Sequence, residues 1–97
     1  MIIYEITAVV EPGLVDEYER YMTRHIRDVL ATGYFTSATF DRNGDRYRTR
    51  YNAKDRSRLD QYLAMEAPRL RDDFNSHFPA GIELSREIWD RVDEFRN

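Results

Sequence analysis

Three residues with the chemistry of a general base lie close together in the first third of the chain. Tyr21, His25 and Asp28 are spaced four and three residues apart, which places them on one flank of a helix. A carboxylate in that position could orient the imidazole and leave its second ring nitrogen free to accept a proton. The spacing makes His25 the candidate proton acceptor, Asp28 its orienting group and Tyr21 a hydrogen-bonding or stacking wall. The alternative is a half-buried His25 that bonds to a neighbouring residue at a helix edge.

A row of arginines is the second candidate group. Arg46, Arg48 and Arg50 occupy alternate positions, so their guanidinium groups share one face if this segment is a strand. Glu5, on a neighbouring strand, can neutralise only some of them. We expect Arg48 or Arg50, with Glu5 beside them, to bind a substrate and stabilise its anionic charge, for instance on a carboxylate or enolate. Ordinary cross-strand ion pairs are the alternative.

Other kinds of site find little support in the sequence. His77 lies where a helix is expected to end and a cation is favourable, so we interpret it as structural. The chain has no cysteine, and its two histidines are too far apart to give a metal-ligand spacing. Glycine motifs for phosphate or dinucleotide binding are absent. The sequence therefore predicts no metal site and no cofactor.

Composition limits the classes of protein to consider. A length of 97 residues allows one domain, which we place at residues 1–97. The chain is 41% hydrophobic and 34% charged, which predicts a soluble globular domain without a membrane span. A net charge of −3 disfavours binding to nucleic acid or to a membrane surface. No basic region precedes the first apolar residues, so a signal peptide is not expected and the cytoplasm is the expected location.

Periodicity indicates the elements that must position the candidate residues. Residues 2–10 alternate apolar and polar side chains, which predicts a first strand. Apolar residues at steps of four and three then predict a helix from about Pro12 to Ala31. Residues 34–42 and 46–52 read as two further strands, joined by a hairpin at Asn43-Gly44.

The last third of the chain repeats the pattern of helix and strand. Asp55 or Ser57 can cap a second helix, whose apolar positions continue to Phe78. Pro68 interrupts that helix and predicts either a kink or two abutting helices. Residues 82–89 read as a fourth strand. The order βαββαβ predicts an α+β fold, a ferredoxin-like sandwich with strand order 4-1-3-2 and both helices on one face.

The face of the sheet away from the helices carries the functional question. Charged side chains from three strands share it with a few apolar ones, among them Ile3, Val9 and, by strand phase, Phe35. An RNA-recognition module has the same topology and stacks bases on aromatics of this face. The third strand lacks the glycine of that motif, and in our phase assignment its tyrosines face the helices. Binding of nucleic acid is therefore not expected.

The sequence resembles a family of small, uncharacterised bacterial proteins. The resemblance rests on Met1-Ile2-Ile3-Tyr4-Glu5, on the run from His25 to Ala38, and on Ala67-Pro68-Arg69-Leu70-Arg71. That family is similar to the dimeric α/β-barrel superfamily, in which two ferredoxin-like sheets pack through their uncovered faces. The resemblance implies a homodimer that encloses a ligand cavity. Relatives include cofactor-free monooxygenases, haem-degrading enzymes, isomerases and stress-responsive barrels, so the resemblance implies no single activity.

These observations predict a homodimer with a small-molecule pocket near the end of the first helix and the polar sheet face. The enzyme version is a cofactor-free monooxygenase-like or isomerase-like protein that acts on a small anionic or aromatic substrate. A binding protein would use the same cavity without chemistry, and a structural or protein-interaction dimer would fill it with its own side chains. We expect Trp89, Val92 and Phe95, near the end of the chain, to cover the partner subunit.

Overall fold

The alternating first segment forms the central strand of the fold. The structure, a computed structural model, describes residues 1–97. Its strands are β1 (Ile2–Val10), β2 (Ser37–Asn43), β3 (Arg46–Ala53) and β4 (Ile82–Asp90). Its helices are α1 (Val15–Ala31), α2 (Arg56–Met65) and α3 (Ala67–His77), and a short 3₁₀ turn (Pro12–Leu14) leads into α1.

The sheet has the predicted topology. All strand pairs are antiparallel, and the order across the sheet is β2-β3-β1-β4. The predicted ferredoxin-like α+β fold is therefore confirmed. The register pairs Glu5 with Arg50 and Glu87, and Thr7 with Arg48 and Ser85. Because side chains alternate along a strand, these six share the uncovered face, whereas the tyrosines of β1 and β3 point to the helices.

Pro68 separates two helices that abut. The first, α2, ends at Met65, and Ala67 begins α3 with Pro68 in its first turn. Proline is tolerated there because the first backbone N–H groups of a helix have no intrahelical acceptor. Leu70 and Phe74 of α3 remain buried beneath the sheet, so the apolar face continues across the break. Of the two predicted arrangements, abutting helices are the observed one.

The prediction for Phe35 is wrong. β2 begins at Ser37, so Phe35 lies before the strand and does not follow its alternation. Its ring packs on the helix side of the sheet, with centroids 5.1 Å from Tyr51 and 4.7 Å from Tyr62. The apolar content of the uncovered face is correspondingly smaller than the sequence predicts.

The core between sheet and helices consists of two clusters. One contains Tyr4, Tyr51 and Tyr62 and lies toward the start of β1. The other contains Tyr18 and Phe74 and lies toward the end of β1. Tyrosine supplies much of the apolar bulk in both clusters, and each tyrosine also brings a hydroxyl that needs a partner when buried. The space between the clusters is where the candidate site lies. No helix is long and apolar enough to cross a membrane.

Candidate functional site

A cavity of about 50 Å³ separates the two core clusters. Side chains from both clusters line it, together with further residues of β1 and β4. The cavity is thus enclosed by the sheet, by α1 and by the α2–α3 pair. A buried water needs roughly 10–15 Å³ measured in this way, so the cavity has room for a few waters or one end of a small ligand. Its polar and charged lining residues are Tyr4, Tyr18, His25, Tyr51, Tyr62, Arg71 and Arg86.

The Tyr51 hydroxyl lies at this cavity without a hydrogen-bond partner. Tyr51 is 1% exposed, and its oxygen has no hydrogen-bond partner in the protein. Thr49, on the same face of β3, carries a second buried hydroxyl without a partner. Leaving a buried polar group unpaired costs roughly 1–3 kcal/mol, so native proteins rarely do so without a reason. Burial also raises the pKa of Tyr51, which keeps the phenol protonated and able to donate.

Two guanidinium groups lie at the cavity without a carboxylate partner. Arg71 donates from Nη2 to the Tyr4 hydroxyl at 3.0 Å, and this is its only side-chain bond. Arg86 makes no side-chain hydrogen bond, and no carboxylate pairs with either arginine. Both lie close enough to Tyr62 to lower the pKa of its phenol, although burial raises that pKa to about 12 overall. The cavity therefore has positive charge at its lining and no acidic residue to balance it.

His25 reaches this cavity from α1, as a candidate base must. Its ring stacks on Tyr21, with centroids 5.4 Å apart and planes at 24°. Tyr21 is held in turn by its hydroxyl, which donates to Oδ2 of Asp73 at 2.6 Å. Burial lowers the pKa of His25, and the charges of Asp28 and Asp73 oppose that effect. The imidazole is therefore neutral at pH 7 and able to accept a proton.

Asp28 lies beside His25 on α1 but does not orient it directly. Its side chain is exposed, and no carboxylate oxygen forms an ion pair with the ring of His25. Asp28 acts on His25 through its charge, whereas the stacked, Asp73-anchored Tyr21 fixes the ring. His77 pairs with Glu17 at 2.9 Å, in keeping with a structural role. No three His, Asp or Glu side chains converge anywhere to form a metal site.

The predicted arginine row lies on the opposite side of the sheet from His25. Arg50 Nε is 3.2 Å from Oε1 of Glu5, and Arg48 Nε is 3.9 Å from the same oxygen. The Arg50 N–H is not directed at that oxygen, so the contact is an ion pair without a hydrogen bond. Glu5 and Arg48 line an open depression of about 350 Å³ on the uncovered face. The single pocket predicted from His25 and these arginines does not form within one chain, because the sheet lies between them.

Sequence reasoning missed the cavity residues for identifiable reasons. Arg86 takes a helix-facing position of β4, between Leu84 and Ile88 and opposite Ile6. A charged residue at an apolar position of a strand is visible in the sequence, and it could have identified Arg86 as a candidate. Arg71 follows the buried Leu70 on an amphipathic helix, where a charged residue next to the apolar face is ordinary and gives no signal. The Tyr51 hydroxyl has no sequence signal, because pairing of a buried phenol depends on tertiary contacts.

Comparison with known families places the chain. A family model described as "Domain of unknown function (DUF4286)" matches residues 1–92. The chain belongs to the DUF4286 family. No curated protein shows a significant match to the sequence.

Solved structures resemble this DUF4286 chain in fold. MupZ from Pseudomonas fluorescens is 14% identical, with a TM-score of 0.72 over 90% of this chain and 69% of its own. A candidate antibiotic biosynthesis monooxygenase from Deinococcus radiodurans is 10% identical, with a TM-score of 0.73 over 100% of this chain and 98% of its own. An antibiotic biosynthesis monooxygenase is 15% identical, with a TM-score of 0.68 over 96% and 100%. At such identities the likeness establishes the fold alone.

The pKa of His25 reports directly on the environment of this DUF4286 cavity. We expect the pKa of His25 to lie below its ordinary value of 6.5, because burial disfavours the imidazolium. Since the unfolded chain has the higher pKa, His25 favours folding above that value, and the contribution is lost as pH falls through the folded-state pKa. An NMR titration of the two histidine C–H signals measures the pKa, and a His77→Gln variant assigns them. A value for His25 above 6.5 would contradict the buried, neutral ring.

Proposed function

We propose that this protein binds a small organic molecule in the cavity between sheet and helices and that His25 accepts a proton from it. The observation that carries the proposal is the half-buried imidazole of His25, which lines the same cavity as the buried, unpartnered Tyr51 hydroxyl. Folds of antibiotic biosynthesis monooxygenase type support it, because the chain shares that architecture. The cavity favours this proposal over a purely structural dimer, which would fill the space with its own side chains.

The chemistry available to such a site is abstraction of a proton from carbon next to a carbonyl group. The C–H bond breaks, its electron pair enters an enolate, and the proton moves to a ring nitrogen of His25. Return of the proton to another atom gives an isomer of the same composition. With dioxygen as co-reactant, a CH₂ group becomes a carbonyl, one oxygen atom enters the product and the other leaves as water. Isomerase-like and cofactor-free monooxygenase-like reactions thus share the step that His25 performs.

The uncovered sheet face is proposed to bind a second copy of the chain. β3 presents three positive side chains, Arg46, Arg48 and Arg50, and β4 presents Glu83 and Glu87. A two-fold axis parallel to the strands exchanges the two edges of the sheet. Each copy then places its acidic β4 opposite the basic β3 of its partner, so the two symmetric halves of the interface are both complementary in charge.

Apolar residues at the end of the chain favour the same arrangement. Trp89 is 46% exposed on the uncovered face, and Val92 and Phe95 are 96% and 88% exposed. With Ile3 and Arg50 they border a depression of about 430 Å³ on that face. Exposed apolar patches rimmed by polar residues mark interaction sites, and aromatic side chains are enriched at protein interfaces. The helix-side cavity remains open to a ligand in such a dimer.

Mass spectrometry of small molecules released from the freshly purified protein tests the binding proposal. We expect a molecule to co-purify with the wild type and to be lost from Leu84→Trp, because Leu84 lines the cavity and the larger ring fills it. Ile88→Trp is the matched control, since Ile88 lies four residues along the same face of β4 and does not line the cavity. Retention of the same molecule by Leu84→Trp would place its site elsewhere.

A further inference from the structure

We propose that the ligand of this cavity is a small organic anion, whose carboxylate or enolate oxygens are bound by Arg71, Arg86 and the hydroxyl of Tyr51. The inference rests on the proposed function, since it names the class of molecule that the same cavity takes. It assigns the anion to the helix side of the sheet, and not to the arginine row of the uncovered face.

The first argument is the balance of charge. The lining contains two guanidinium groups, a histidine and no carboxylate. The chain as a whole carries 18 acidic and 15 basic residues, so acidic partners are not scarce. Eight of its other arginines form ion pairs, among them Arg69, which lies two residues from Arg71 on α3 and pairs with Glu66 at 2.9 Å. Two unpaired guanidiniums on one small cavity create a local excess of positive charge that an anion would neutralise.

The second argument is the set of hydrogen-bond donors. The Tyr51 hydroxyl is buried, protonated and without an acceptor. The Tyr4 hydroxyl accepts from Arg71, so its own proton is free to be donated further. Guanidinium and phenol groups that converge without an acceptor match an oxygen with negative charge, which accepts several hydrogen bonds at once. A neutral apolar ligand would leave the buried Tyr51 hydroxyl without an acceptor.

The third argument is the size of the cavity. A cavity of about 50 Å³ is too small for a whole aromatic ring, since a dry cavity that binds benzene measures about 150 Å³. Arg71 and Arg86 are exposed, whereas Tyr51 is fully buried. The ligand therefore has one small end inside, near Tyr51 and His25, and its remaining atoms between the two arginines at the opening.

The test compares small carboxylates with their neutral amides. Thermal shift and NMR titration at constant ionic strength would use acetate, 2-oxobutanoate and benzoate beside acetamide, 2-oxobutanamide and benzamide. We expect at least one carboxylate, and not its amide, to bind and raise the melting temperature. Arg86→Met should weaken that binding about tenfold or more, because a hydrogen bond to a charged group is lost. Arg69→Met on α3 is the matched control and should bind as the wild type does, and Arg48→Met on the uncovered face tests the alternative site for the anion.

Tyr51→Phe gives a second readout that does not depend on the arginines. The substitution removes an unpaired hydroxyl from the ligand-free protein, so its melting temperature should stay the same or rise. Affinity for the same carboxylate should nevertheless fall about tenfold. A large loss of stability without ligand would show that the hydroxyl is already paired, and would overturn its role.

The outcomes separate this inference from the proposed function. Equal binding of carboxylates and amides, or of none, overturns the anion proposal, as does Arg86→Met that binds like the wild type. If Leu84→Trp still loses the co-purifying molecule, the cavity remains the binding site and only the ligand class is wrong. If Arg48→Met loses carboxylate binding while Arg86→Met keeps it, the anion belongs to the uncovered face.

Discussion

Replacing Trp89 with alanine is expected to convert a dimer into a monomer at concentrations where the wild type stays paired. Aromatic residues at the centre of an interface contribute most to affinity, and their truncation costs about 2–4 kcal/mol, a rise of about 30-fold to 1,000-fold in the dimer Kd. Within one chain Trp89 donates a single hydrogen bond, from Nε1 to Glu5 at 3.2 Å, so the subunit itself should keep its fold. Light scattering during size-exclusion chromatography reports the mass against 11.7 kDa for one chain.

Met65→Ala is the control for the loss of exposed apolar surface alone. Met65 is 72% exposed at the end of α2, on the helix side of the molecule, and its replacement should leave the mass unchanged. An obligate interface is expected to bury more than about 2,000 Å² in total. A wild-type protein that elutes with the mass of one chain at high micromolar concentration would remove the dimer from the proposal.

Much of the fold follows from local patterns in the sequence. The period of two in residues 2–10 and the apolar spacing of α1 each depend on which face of one element is buried, and the structure confirms both. Pro68 specifies the break between α2 and α3 because its missing N–H is harmless only in a first turn. The same reasoning places Phe35 on the wrong face of the sheet, because Phe35 precedes β2 and is positioned by the rings of Tyr51 and Tyr62.

The candidate site was only half accessible to sequence reasoning. His25 and Tyr21 could be paired from helical spacing, and the structure stacks their rings. The arginine to place beside them could not be chosen by spacing, because Arg48 and Arg86 lie on different strands and opposite faces of the sheet. Asp73, which holds Tyr21, is 52 residues away along the chain. Contacts between layers depend on how helices are seated on the sheet, and no local pattern specifies that.

Substitution of His25 by glutamine is expected to slow proton abstraction strongly without unfolding the protein. A positioned general base contributes about 10²–10⁴-fold to the rate, so exchange of the carbon-bound protons of 2-oxobutanoate for deuterium should fall by that factor. Half-buried positions at a helix flank tolerate such a change, and the free energy of unfolding should fall by less than about 1 kcal/mol. Proton NMR in D₂O follows the exchange, and His77→Gln supplies the same substitution at the chain's other histidine.

The pH dependence of that exchange distinguishes a base from a merely structural histidine. Because burial lowers the pKa of His25, the ring is already neutral at pH 7, and the rate should be flat there. It should fall tenfold for each pH unit below the folded-state pKa, as protonation removes the acceptor. Tyr21→Phe keeps the stacked ring and loses the bond to Asp73, so it should lower the rate while leaving this profile in place. Exchange that persists in His25→Gln with an unchanged profile would assign the proton to another group and leave His25 as packing between α1 and α3.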